Sequence, residues 1–158
     1  MKKAILFIFL SLFLVGNTVF ADDITSAKAF FNRYVSLANS YSTEILNFYS
    51  PNAKIIRQVV KPNGELVNAT TDSNVYKTQL KIGQSTAKFR NYKNAYRNIV
   101  VTKVANGYKV SAERQPTGET YWLKTYQILQ KQPNGQWIIV EEMMQTKQQI
   151  FLRYADKK

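Results

Sequence analysis

The sequence predicts an α+β domain over residues 22–158, with helices first and then a curved antiparallel sheet. Between Ala27 and Tyr41 the apolar residues Ala27, Phe30, Phe31, Tyr34, Leu37, Ala38 and Tyr41 recur at three-four spacing, the period of an amphipathic helix. After Ser50-Pro51-Asn52 the apolar residues gather instead in short runs of strand length. Pro62-Asn63-Gly64, Asn106-Gly107 and Pro133-Asn134-Gly135 separate those runs. Asn-Gly between apolar runs marks a hairpin, because both central residues of its tight turn need positive φ.

The elements follow in order. Ser42-Thr43 caps a second, shorter helix carrying Ile45, Leu46, Phe48 and Tyr49, which Ser50-Pro51-Asn52 stops. Three strand pairs are expected: 53–61 with 65–70, 99–105 with 108–114, and 121–130 with 137–144. Pro116-Thr117-Gly118 joins the middle strands. Between the first pair and the rest, Val75, Tyr76, Gln79, Leu80 and Ile82 suggest a third short helix. The tail from Gln148 holds Ile150, Phe151 and Tyr154, a last helical turn docked on the sheet. No linker or repeat interrupts this order, so one domain is expected.

The first 21 residues read as a signal peptide. Lys2-Lys3 supplies the positive start, and Ala4 to Val15 is nearly unbroken Ile, Leu and Phe. Gly16-Asn17-Thr18 breaks the run, and Val19-x-Ala21 places cleavage after Ala21. The apolar run is short for a membrane span, although an uncleaved anchor is the alternative. The reading implies a periplasmic protein with no span after cleavage. Loss of Lys2 and Lys3 takes the formal charge from +12 to about +10, a balance that favours acidic partners or serves solubility.

Absent residue types exclude whole chemistries. There is no Cys, so no disulfide holds the domain, which suits a periplasm better than a protease-rich exterior. There is no His, which removes the usual metal ligand, the usual general base and every Ser-His or Cys-His nucleophile. No metal site and no cofactor is expected.

Two local stretches extend this layout to a known family. Arg33-Tyr34-Val35 is followed by Phe48-Tyr49-Ser50-Pro51-Asn52-Ala53-Lys54-Ile55, an aromatic, a Tyr and a turn leading into the first strand. Asn134-Gly135-Gln136-Trp137-Ile138-Ile139 opens the last long strand. Both resemble the nuclear-transport-factor-2-like superfamily, closest to its ketosteroid-isomerase-like and polyketide-cyclase-like branches. The resemblance implies a cone whose bent sheet wraps the first helix and leaves a pocket at its mouth.

It also permits a test of the isomerase chemistry, which needs a carboxylate base and an oxyanion hole built from a Tyr and a protonated Asp. The Tyr position falls on Tyr34, the base position on Arg57 and the second acid position on Gln127. An arginine stays protonated at neutral pH and cannot serve as base. The resemblance therefore implies no isomerase mechanism.

If the family's inward faces hold, Ile55, Arg57 and Val59 point into the cone from one strand. Leu123, Thr125, Gln127 and Leu129 do so from another, and Val140, Glu142 and Met144 from the last. Tyr34, Arg57, Gln127 and Glu142 are the pocket candidates, a cationic and donor-rich spot suited to a small amphipathic anion. The alternatives are a buried Arg57–Glu142 ion pair, or a register slip that turns Arg57 to solvent.

Lys77, Lys81, Lys88, Arg90, Lys93 and Arg97 interleave with Phe89, Tyr92 and Tyr96. Such interleaving can bind single strands of nucleic acid, but export argues against that partner. The plain reading is a solvated face whose aromatics turn inward; the functional variant binds an acidic protein or lipid head groups. Glu141-Glu142 cannot act as a carboxylate pair, because adjacent strand residues face opposite sides. Trp122, Tyr126 and Trp137 are expected on the outer sheet face, where relatives form homodimers.

Three functions remain open at this point. The first is a non-catalytic periplasmic binding or accessory domain. The second is an envelope interaction protein, a secretion-system component or an immunity protein. The third is an enzyme using Glu142 or Glu113 as base.

Overall fold

The computed structural model describes residues 15–157. Most of the expected signal sequence falls outside them, and the expected cleavage position after Ala21 lies within the first helix. Helix α1 (Val15–Asn39) buries Ala27, Phe31 and Tyr34, spaced four and three residues apart on one face. Phe30 and Leu37 are half-buried beside them, and Phe30 packs on Phe48 with ring centroids 4.6 Å apart. Tyr41 turns the chain out of α1 in the left-handed region at φ 60°, while the Ser42 N–H reaches back to Leu37 O at 3.0 Å. Ser42 then caps a 3₁₀ turn (Thr43–Phe48), its hydroxyl accepting from the Glu44 N–H.

Six strands follow: β1 (Tyr49–Val60), β2 (Leu66–Asp72), β3 (Asn94–Val104), β4 (Gly107–Pro116), β5 (Leu123–Lys131) and β6 (Trp137–Thr146). They form one sheet in the order β2-β1-β6-β5-β4-β3, so the three expected hairpins are present. Four of the pairings are antiparallel, and β1 runs parallel to β6. That parallel pair joins the first hairpin to the later four strands. β1 starts at Tyr49, four residues before the expected Ala53, and its register against β6 breaks between Tyr49 and Lys54. Pro51 sits in that break, where its missing N–H costs no ladder bond.

Gly107 opens β4 at φ +140°, and a Cβ there would run into the carbonyl oxygen of Leu129 on β5. Only glycine allows the two strands to approach so closely. Helix α2 (Ser73–Phe89) separates β2 from β3, as expected from the spacing around Tyr76. Asp72 starts it by accepting from the N–H groups of Asn74 and Val75 at 2.8 and 2.9 Å. The C-terminal 3₁₀ turn (Gln149–Tyr154) docks against β1 and β2, as the tail residues suggested. Asp156 fastens it, accepting from the N–H and hydroxyl of Thr70, and those bonds hold its carboxyl below the ordinary value.

The inward faces match the expected alternation on β1 and β5. Ile55, Val59, Leu123, Thr125, Gln127 and Leu129 are all buried. On β6 a bulge opposite Ile128 and Leu129 shifts the alternation, so Ile139 rather than Val140 enters the core, and Glu142 still pairs with Gln127. Trp137 is a second correction. It faces inward, edge-on to Tyr108 at 5.5 Å, and its indole N–H donates to Ser26 Oγ on α1. Trp122 and Tyr126 alone of the three lie on the outer face, half-covered by Arg97 and Lys109. Phe89, expected to turn inward, is 92% exposed at the end of α2.

Candidate functional site

Between the helices, the sheet and the C-terminal turn lies a cavity of about 350 Å³, within the range of small-molecule sites. α1 contributes Tyr34 and Ala38, α2 contributes Tyr76, Leu80 and Ala87, and the C-terminal turn contributes Phe151. Two arginines reach it, Arg57 from β1 and Arg114 from β4. Among the described residues, its lining includes no carboxylate, His, Cys or Lys. The cavity can therefore grip a negative charge. It offers no side chain to take a proton near neutral pH.

Beneath the lining lies a buried polar network centred on Glu142, which is 1% exposed. Glu142 Oε2 accepts from the Tyr49 hydroxyl at 2.9 Å and from Gln127 Nε2 at 2.8 Å. Its Oε1 accepts from the Tyr76 hydroxyl at 3.3 Å. Tyr49 spends its one proton on Glu142, so at 2.9 Å it accepts from the Tyr34 hydroxyl. Burial first, and then the Glu142 charge, pushes the phenols of Tyr34, Tyr49 and Tyr76 above their ordinary value. They remain neutral donors at any ordinary pH. Three neutral donors satisfy this carboxylate, and no ion pair involving it occurs among the described residues.

Arg57 stands on the cavity side of this network. Its guanidinium lies over the Tyr76 ring at 4.8 Å from the centroid, a cation–π contact. Burial alone would lower its pKa, but Tyr76 and Glu142 outweigh that and hold it above the ordinary value. Its Nη1 is buried and has no hydrogen-bond partner. Arg114 is held more firmly: Nη1 donates to Asn94 Oδ1 at 2.8 Å and Nη2 to Gln145 O at 2.9 Å. Its Nε likewise has no partner, and the residue is only 8% exposed. Two guanidinium groups at one cavity thus each keep an unused N–H.

No protein-family model matches the chain, and no curated protein matches it. Solved structures do. A nuclear-transport-factor-2-like protein with a cystatin-like fold from Novosphingobium aromaticivorans has a TM-score of 0.63 at 11% identity. The match covers 85% of this chain and 88% of that one. A protein of unknown function from the DUF3225 family of Pectobacterium atrosepticum has a TM-score of 0.59 at 22% identity, covering 79% of this chain and 91% of that one. A nuclear-transport-factor-2-like protein of unknown function from Pseudomonas putida has a TM-score of 0.57 at 9% identity, covering 79% and 87%. The chain has the nuclear-transport-factor-2-like fold.

Within this fold the four sequence candidates divide into two layers. Tyr34 and Arg57 line the cavity, whereas Gln127 and Glu142 are absent from its wall and lie in the network behind it. Arg57 does not turn to solvent, and it makes no ion pair with Glu142 within 4.0 Å; Tyr76 bonds the carboxylate with its hydroxyl and carries the guanidinium on its ring. Gln127 stands at the second acid position and donates to a carboxylate from the neighbouring strand.

Neither Glu of the enzyme reading reaches the cavity. Glu142 is sealed behind Tyr34 and Tyr76, and Glu113 bonds Arg97 Nε at 2.6 Å on the outer face. Tyr49, Tyr76 and Arg114 were missed as site residues. Alternation along β4 from Tyr108 through Val110 and Ala112 was the signal that places Arg114 inside.

Proposed function

We propose that this protein is a non-catalytic binding domain whose cavity takes a small amphipathic anion. The convergence of the Arg57 and Arg114 side chains on one cavity, with no carboxylate among its described lining residues, carries this reading. Two guanidinium groups at one largely apolar cavity attract negative charge, and an anionic head group would accept charge-assisted hydrogen bonds from them. The walls from Leu80, Ala87 and Phe151 suit an apolar body.

Dodecanoate and its uncharged methyl ester are the probes. The wild-type protein is expected to bind dodecanoate in calorimetric titration and the ester much more weakly. Arg57→Leu is expected to weaken dodecanoate roughly ten- to a hundred-fold, the range of one hydrogen bond to a charged group. It breaks no ion pair, so the melting temperature should stay within a few degrees of the wild type. Equal affinity for acid and ester, or unchanged binding by Arg57→Leu, contradicts the reading.

The binding domain is further proposed to act in the periplasm after removal of residues 1–21. The charged start, apolar run and Val19-x-Ala21 pattern support this. Asp23, in the segment that would remain, is tied to Lys131 at 2.8 Å, with Tyr108 donating to the other oxygen. The sheet thus holds α1 from the second residue of the expected mature chain. N-terminal sequencing of protein from the cell envelope should begin at Asp22. A start at Met1 contradicts export with cleavage.

A further inference from the structure

The outer side of α2 combines two features that oppose each other in a solvent-facing helix. Val75, Ile82 and Phe89 recur every seven residues, which places them in one row. They are 46%, 71% and 92% exposed, rising toward the end of the helix. Lys81 and Lys88 immediately precede two of them, and Arg90 and Lys93 follow. No Asp or Glu occurs between Asp72 and Glu113, and among the described residues none of these four cations has an ion pair. The inner side of the same helix is accounted for, since Tyr76, Leu80 and Ala87 line the cavity.

From this row we infer that α2 docks flat on an anionic lipid surface. Charge complementarity selects the occupant: a surface dense in negative head groups neutralises clustered lysines that pair with no carboxylate among the described residues. The apolar side chains decide between a bilayer and an acidic protein. They project singly, as a row, from a convex helix, and this geometry suits insertion among acyl chains at the head-group boundary. Long Lys stems can lie along the same boundary with their ammonium groups in the head-group layer. The inference does not rest on the cavity. It adds a consequence to it, because a docked α2 sets one wall of the cavity against the membrane from which an amphipathic anion could come.

Co-sedimentation with vesicles of equal parts phosphatidylglycerol and phosphatidylcholine tests this, beside vesicles of phosphatidylcholine alone. The proposed mature chain, residues 22–158, is expected to bind the anionic vesicles, to bind the neutral ones far less, and to be released by salt at about 0.5 M. Lys81→Gln and Lys88→Gln should each weaken binding about five-fold. Ile82→Ser with Phe89→Ser should weaken it about ten-fold or more. Both of those side chains are exposed, so the melting temperature serves as the control for folding and should not fall. No binding to anionic vesicles overturns the inference, as does binding that survives the Ile82/Phe89 double change or is indifferent to salt. Capture of an acidic protein on this face without vesicle binding overturns it in favour of a protein partner.

Discussion

Glu142→Leu is expected to destabilise the protein by about 3–5 kcal/mol, read as a lower urea midpoint with unchanged slope. The carboxylate is the common acceptor for Tyr49, Tyr76 and Gln127, all buried. Leucine leaves three donors without a partner, each costing about 1–3 kcal/mol before relaxation. The Tyr34 hydroxyl loses its orientation as well, since Tyr49, with no Oε2 to donate to, is free to turn its proton toward Tyr34. Glu142→Gln should cost less, about 1–2 kcal/mol, because its amide oxygen can keep Tyr49 and Gln127 while Tyr76 turns to accept. Equal stability of Glu142→Leu and the wild type would show that the network does not hold the cone together.

Phe31→Ala is expected to cost about 3–5 kcal/mol, the range for emptying a buried aromatic site. Phe31 is 1% exposed where α1 meets the concave sheet, edge-on to Tyr96 at 5.5 Å and near Tyr34 at 6.3 Å. The void would lie beside two residues that line the cavity, so the variant should lose anion affinity together with stability. Thermal unfolding should show a fall of roughly 10–20 °C. An unchanged melting temperature would mean that α1 does not fill the cone.

The fold was legible because its signals are local. The three-four spacing around Phe31 and the Asn-Gly turns specify one helix and three hairpins without reference to the rest of the chain. The parallel joining of β1 to β6 is not local, and no short motif announces it. A period-2 pattern also cannot foresee a bulge, which is why Val140 was placed inside and Ile139 was not. Phe89 was misplaced because an aromatic on an amphipathic helix is usually core, and here it ends the exposed row.

The site was legible in part. Strand alternation brought Arg57, Gln127 and Glu142 to the interior, and the resemblance brought Tyr34 with them. Alternation gives a side but not a depth, so it could not show that Glu142 lies behind the cavity wall while Arg57 lies in it. Tyr49 and Tyr76 come from a strand start and a helix whose packing depends on the assembled sheet. Their roles appear only once Glu142 has a position.

A crystal structure of the protein with dodecanoate tests the central claim most directly. The claim predicts the carboxylate within about 3 Å of a guanidinium nitrogen of Arg57 or Arg114, the distance of a charge-assisted hydrogen bond. The alkyl chain should lie against Leu80, Ala87 and Phe151. Dodecanoate bound elsewhere, or a cavity that stays empty at saturating dodecanoate, would contradict it.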